Sequence, residues 1–134
     1  MFTLINSVNL KVILEPVQTS AGYPSVAFDI TLVWETISQT TKVDIKECWF
    51  ANYDLNQFQE NLQPFLKKQT SLVKLVDMSS EPILQFNRVE EDRIFFEAKV
   101  DGRFPIGMIK LKTEIENDEL VKVLERMRNW AKWW

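Results

Sequence analysis

Apolar and polar positions alternate along several stretches of this chain, and each such stretch predicts a strand with one covered face and one wet face. Val8, Leu10, Val12 and Leu14 alternate with Asn9, Lys11 and Ile13. This period of two stops near Pro16, which has no backbone N–H to continue a ladder. Val17 to Ser25, with Gly22 and Pro24 as breakers, reads as a loop. Beyond it Val26, Phe28, Ile30, Leu32 and Trp34 point one way, and Ala27, Asp29, Thr31, Val33 and Glu35 the other. A Ser- and Thr-rich turn at Ser38 to Thr41 leads to a hairpin partner in which Val43 and Ile45 alternate with Lys42, Asp44 and Lys46. The alternation breaks at Glu47, after which Cys48, Trp49 and Phe50 run together, and a bulge accounts for the shift.

The period then changes. Leu55, Phe58, Leu62, Phe65 and Leu66 form a helical stripe, started by a capping-box pattern at Asp54 and Gln57 and kinked or shortened near its end by Pro64. Strands resume at Leu72 to Met78 and at Ile83 to Val89, where Leu84 and Phe86 share a face. Glu90-Glu91-Asp92 is a charged turn. From Arg93 to Asp101, Ile94, Phe96, Ala98 and Val100 face inward while Phe95, Glu97 and Lys99 face outward. Asp101-Gly102 is the next predicted turn, and Met108 to Ile115 the last strand. Asn117 is the expected N-cap of a second helix that buries Leu120, Val123, Leu124, Met127, Trp130, Ala131 and Trp134, with acidic residues at its start and basic ones at its end.

The two helices carry stripes of one phase. Leu55 and Leu120, Phe58 and Val123, Leu62 and Met127, and Phe65 and Trp130 all stand 65 positions apart. The preceding strands need an offset of 66 to align Val43 and Ile45 with Ile109 and Leu111, and the second half reads as holding one extra strand. Short connections imply antiparallel pairing, because parallel strands need a crossover of about a dozen residues. The expected fold is therefore α+β over residues 1–134 as one domain: a mainly antiparallel sheet of about six to seven strands with two helices packed on one face, in the order βββα-ββββα.

Composition narrows the chemistry. At 134 residues, with 46% hydrophobic and 26% charged positions, the chain is ordinary globular material with one expected core. There is no histidine and one cysteine, so Ser-His or Cys-His nucleophilic sites and His/Cys zinc sites cannot be built within it. Three glycines leave no Gly-rich phosphate loop or dinucleotide fingerprint, and no cofactor is expected. The net charge of −3 lies in residues 1–67, since 68–134 hold twelve cations and twelve anions. Neither half has the basic excess of a nucleic-acid binder. Every apolar run is interrupted within a few residues, the start of the chain has no basic leader segment, and the lone Cys48 cannot form an internal disulfide. These features predict a cytoplasmic protein without a membrane span.

Carboxylate chemistry is what remains open. Asp29, Glu35 and Asp44, with Glu97 and Lys99 on a later strand, could form an acid/base pair or hold a divalent cation on an open sheet face, or could simply pair across strands in solvent. Glu114, Glu116, Asp118 and Glu119 surround a helix start, where negative charge complements the dipole. Cys48 sits beside Trp49 and Phe50 and reads as a core thiol with a raised pKa. Aromatic side chains off the core stripes are the natural anchors of an interface, which singles out Trp133, Tyr53 and Phe95, together with the acidic turn Glu90, Glu91 and Asp92.

In pattern the chain resembles the WapI-type family of small bacterial immunity proteins. The resemblance is carried by the alternating strand ending in Trp34, the Asp54-Leu55 helix start, the segment Glu81-Pro82-Ile83-Leu84-Gln85-Phe86, and the closing Asp118-Glu119-Leu120 helix. It implies a non-catalytic, cofactor-free protein that neutralises a toxin domain by binding it. A charge of −3 is mild for a protein that would match a basic nuclease site. Two other readings stay open: a carboxylate-based enzyme or divalent-metal binder on the open sheet face, and a homodimeric structural protein whose interface covers Trp133.

Overall fold

The computed structural model describes residues 1–103 and 105–132, with Glu91 and Arg103 described by backbone alone. It has eight strands in two antiparallel sheets of four, not one sheet of six or seven. The first sheet runs β1 (Phe2–Asn6), β2 (Leu10–Ser20), β3 (Ser25–Glu35) and β4 (Thr40–Ala51), followed by α1 (Asn52–Leu66). The second runs β5 (Leu72–Val76), β6 (Pro82–Val89), β7 (Arg93–Arg103) and β8 (Ile106–Ile115), followed by α2 (Asn117–Arg128). In both sheets spatial order equals chain order. The expected order βββα-ββββα is thus corrected to ββββα twice, and the supposed extra strand of the second half has a counterpart in β1.

Strand β1 escapes a period-two reading because it does not alternate. Leu4 and Ile5 are both fully buried, and the register slips between Thr3 and Ile5. Pro16 does not end β2: a register shift between Pro16 and Gln18 lets the strand pass the proline and continue to Ser20, so most of the expected loop at Val17 to Ser25 is strand. The bulge at Glu47 is present. Glu47 has a left-handed φ of 48°, and the β3–β4 register shifts opposite it, between Phe28 and Ile30. Both helices start earlier than the side-chain signals imply. Ala51 and Glu116 occupy the cap positions without a side-chain cap bond, and Asp54, Asn117 and Asp118 lie inside the first turns. α1 ends two residues after Pro64.

The halves are not independent. α1 packs on β5 of the other sheet, α2 packs on β1, and the helices pack on each other. One contiguous core results, from Phe2, Phe28 and Phe50 of the first sheet through Phe58, Phe65, Leu120 and Val123 of the helices to Phe86 and Phe96 of the second. Polar bonds follow the same exchange. Glu119 on α2 has a side chain only 8% exposed, accepts from the Asn6 backbone N–H at 2.8 Å and pairs with Arg126 at 2.7 Å, while Arg126 also donates to the Leu4 carbonyl at 3.0 Å. Arg88 on β6 donates to the Phe65 carbonyl at the end of α1 at 3.0 Å and lies over the Phe65 ring. Trp34 Nε1 on β3 donates to Thr113 Oγ1 on β8 at 3.2 Å.

Candidate functional site

The aromatic and acidic residues singled out from the sequence do not converge. Tyr53 is 70% exposed in the first turn of α1. Phe95 is half-buried on the outward face of β7, with Arg93 and Lys112 stacked over its ring at 5.2 and 5.1 Å, so cations cover it. Glu90, Glu91 and Asp92 form a single 3-10 turn between β6 and β7. Asp92, at a left-handed φ of 63°, binds Lys68 at 2.7 Å and lies 3.9 Å from Arg88, tying this turn to the end of α1. The Lys68 hydrogen bond holds the Asp92 carboxyl below its ordinary range. Its geometry is that of a brace. Trp133 and Trp134 lie outside the described residues, and Ala131, expected in the core, is exposed beyond the end of α2.

The open-face carboxylates are also separated. Asp29 and Asp44 lie on the first sheet, where Asp29 accepts the Glu47 N–H at 3.0 Å and faces Lys46 at 3.5 Å, and Asp44 accepts from Thr31 at 3.0 Å and faces Lys42 at 3.8 Å. Glu35 ends β3 opposite Thr40. Glu97 belongs to the second sheet and pairs with Lys110 at 3.0 Å. Asp29–Lys46 and Glu97–Lys110 are cross-strand charge pairs, Lys42–Asp44 is a pair along one strand, and Glu35 is exposed with no ion pair among the described residues. Among the described residues no group of three or more Asp, Glu or Cys is placed to hold a metal ion. A charged cleft of about 320 Å³ is lined by Asp77, Ser79, Glu81, Lys99 and Asp101, and three of these side chains, Asp77, Lys99 and Asp101, are engaged locally. Asp77 accepts the Ser79 and Glu81 N–H groups, and Lys99 pairs with Asp101. Cys48 is buried and its pKa is pushed up to about 12, first by burial and then by the nearby Asp77 carboxylate. It is a core thiol.

The surface that sequence reasoning missed is the distal half of the β7–β8 hairpin. The ladder runs from Ile94 opposite Ile115 out to Arg103 opposite Ile106, so Asp101 and Gly102 are strand residues and the expected turn there is displaced to the tip. Glycine at position 102 keeps the hairpin close, since a Cβ there would meet the Pro105 carbonyl oxygen at a tight 3.1 Å. Residues 106–110 of β8 are exposed on both faces of the strand. Ile106, Met108 and Ile109 are 93%, 61% and 54% exposed, adjacent on one strand. The signal was one of parity. Ile106 and Met108 share a face with Lys110, Lys112 and Glu114, whereas Leu111 and Ile115 on the other parity turn toward the core.

β8 is also a sheet edge. In the first sheet the edge strands are β1 and β4, in the second β5 and β8. α2 lies along β1 and α1 along β5. The end of β4 is touched by the β5–β6 turn, where Met78 N–H donates to the Trp49 carbonyl at 2.9 Å. Among the described residues no strand pairs with β8 on the side away from β7, and no helix is long and apolar enough to cross a membrane. Comparison with family models, with curated proteins and with solved structures gave no match.

Proposed function

We propose that this chain is a non-catalytic protein-binding module and, following the pattern resemblance to WapI-type immunity proteins, that its partner is a toxin domain it neutralises by occupying it. The observation that carries the reading is the exposed apolar pair Ile106 and Met108 on one face of β8, with Ile109 exposed on the other, at an edge that no strand pairs among the described residues. Contiguous exposed apolar surface marks interaction sites in soluble proteins. Covering each of these side chains would contribute about 1.5–3 kcal/mol before the ordering costs of association. Of the acidic side chains that a catalytic reading would need, Asp29, Asp44 and Glu97 are engaged in ion pairs and Asp77 in turn bonds.

The test is to express the product of an adjacent toxin gene, titrate it with the purified chain by calorimetry, and measure growth of cells carrying both. Saturable binding with restored growth is expected. Hydrolytic turnover of any substrate class, lost on replacing one carboxylate, would overturn the reading.

A further inference from the structure

We infer that the free edge of β8 accepts an added antiparallel strand from the protein partner, one that sets carboxylates opposite Lys112 and Lys110 and apolar side chains opposite Met108 and Ile106. This rests on the protein-binding reading above and specifies the chemistry of the occupant.

Three observations carry it. The β7–β8 ladder runs from Ile94 to Arg103 without a register shift, so the outer row of β8 backbone groups is regular. Regular, unbulged edges template a further strand, with main-chain hydrogen bonds giving affinity and alternate side chains giving specificity. Second, the outward side chains divide along the strand into an apolar end, Ile106 and Met108, and a cationic end, Lys110 and Lys112. Lys110 is neutralised by Glu97, but Lys112 rests on the Phe95 ring and has no carboxylate partner among the described residues. Third, directly opposite residues of an antiparallel pair share a face, so a matching segment reads, from its N-terminus, acid, any, acid, apolar, apolar, any, apolar. Its central apolar residue covers Ile109 on the inner face.

The same charges argue against a second copy of this chain as the occupant. Two-fold pairing of β8 with itself, centred on Lys110, Leu111 or Lys112, sets lysine against lysine. Centring on Met108 or Ile109 leaves lysine opposite isoleucine or methionine with no charge matched. Centring on Thr113 pairs Lys112 with Glu114 but leaves the apolar end uncovered.

The probe is a cyclised hairpin peptide whose free strand reads Asp-Thr-Asp-Val-Val-Thr-Val, preorganised to limit the ordering cost, with a Lys-for-Asp peptide as control. Fluorescence anisotropy reports affinity and amide hydrogen exchange reports the place. Saturable binding is expected, with slowed exchange between Ile106 and Lys112 and at least tenfold weaker binding of the control. Lys112→Glu should invert that preference. Met108→Lys should abolish binding while circular dichroism and melting temperature stay unchanged. The inference is overturned if millimolar peptide protects no β8 amide or protects another element, if both peptides bind alike, or if sedimentation shows a dimer that Met108→Lys dissolves. The toxin separates the two readings. Equal binding to the parent chain and to Met108→Lys removes strand addition and leaves the module; peptide capture at β8 by a chain that binds no toxin supports strand addition and removes the immunity role.

Discussion

β4 and β8 hold equivalent places in the two halves, each the last strand of its sheet and each running directly into a helix, yet they treat their open edges differently. β4 is defended. Its exposed stretch carries Lys42, Asp44 and Lys46, and Glu47 at a left-handed φ of 48° bulges the strand before it enters the core. Charges and bulges of this kind are how sheet edges avoid pairing with other chains. β8 has neither device over Ile106 to Ile109: the ladder is regular and the side chains are apolar. One edge is thus charged and bulged while the first part of its structural counterpart is apolar and unbulged, and the proposed strand addition rests on that difference.

The largest expected effect tests whether the halves form one cooperative unit, since the comparison of edges presumes a common core. Glu119 joins α2 to β1 through Asn6 and Arg126, and its side chain is 8% exposed. Glu119→Ala strands a partly buried arginine and should cost about 3–5 kcal/mol. Urea melts followed by circular dichroism and by tryptophan fluorescence should coincide and shift together. Separate transitions would show that the first sheet unfolds without the second.

Exchanging the edges is the next largest test, and its effect is on association rather than stability. Lys42→Val with Lys46→Val removes the charges that guard β4, and light scattering should then report concentration-dependent assembly. Met108→Lys with Ile106→Lys should leave the scattering of the chain unchanged and abolish capture of the acid-apolar peptide at β8. All four positions lie on exposed strand surface, so each change should move stability by no more than about 0.5 kcal/mol. If the β4 variant leaves the scattering unchanged and the β8 variant still captures the peptide, the difference between the edges has no consequence.

The bulge supplies a smaller effect. A non-glycine residue at Glu47's φ of 48° carries a backbone penalty of about 1–2 kcal/mol, partly offset in a glycine variant by the greater freedom of its unfolded chain. Glu47→Gly should therefore raise stability by somewhat under about 1 kcal/mol and leave β4 bulged. Loss of stability would mean that the Glu47 side chain contributes more than its conformation costs.

The α+β class, the antiparallel pairing, the bulge at Glu47 and the two helical stripes were legible because each follows from side-chain period along a continuous segment. The partition into two sheets was not, because hairpin spacing says which consecutive strands pair but not whether β5 extends the sheet across α1. In retrospect the exposed Lys42, Asp44 and Lys46 on one face of β4, with Val43 and Ile45 only partly buried on the other, argue against its being an interior strand. β1 was hidden by its brevity and by adjacent buried Leu4 and Ile5. At the candidate site, attention to single aromatics led to Phe95, which two cations cover. The informative pattern was apolar Ile106 and Met108 on the parity of the lysines.

The smallest effect concerns the ion pair that fastens the base of β8 to β7. Arg93 Nη2 lies 3.1 Å from Glu114 Oε2, and this hydrogen bond, with the guanidinium charge behind it, holds the Glu114 carboxyl below its ordinary range. A carboxyl whose folded pKa is depressed adds stability above its unfolded pKa and loses it as pH falls through the folded value. The loss belongs to the acidic side of neutrality, below the range of free glutamate. Both groups face solvent, so the contribution is small and salt should screen it. Carbon-detected NMR of the Glu114 carboxyl should give a midpoint below that of free glutamate, returned toward it by Arg93→Gln or by molar salt. Arg93 also stacks on Phe95, beside Lys112. Arg93→Gln therefore leaves Lys112 as the cation on that ring and frees Glu114 to compete for it. Strand addition that depends on Lys112 should accordingly weaken in Arg93→Gln, whereas the guarded edge of β4, on the other sheet, should be unaffected.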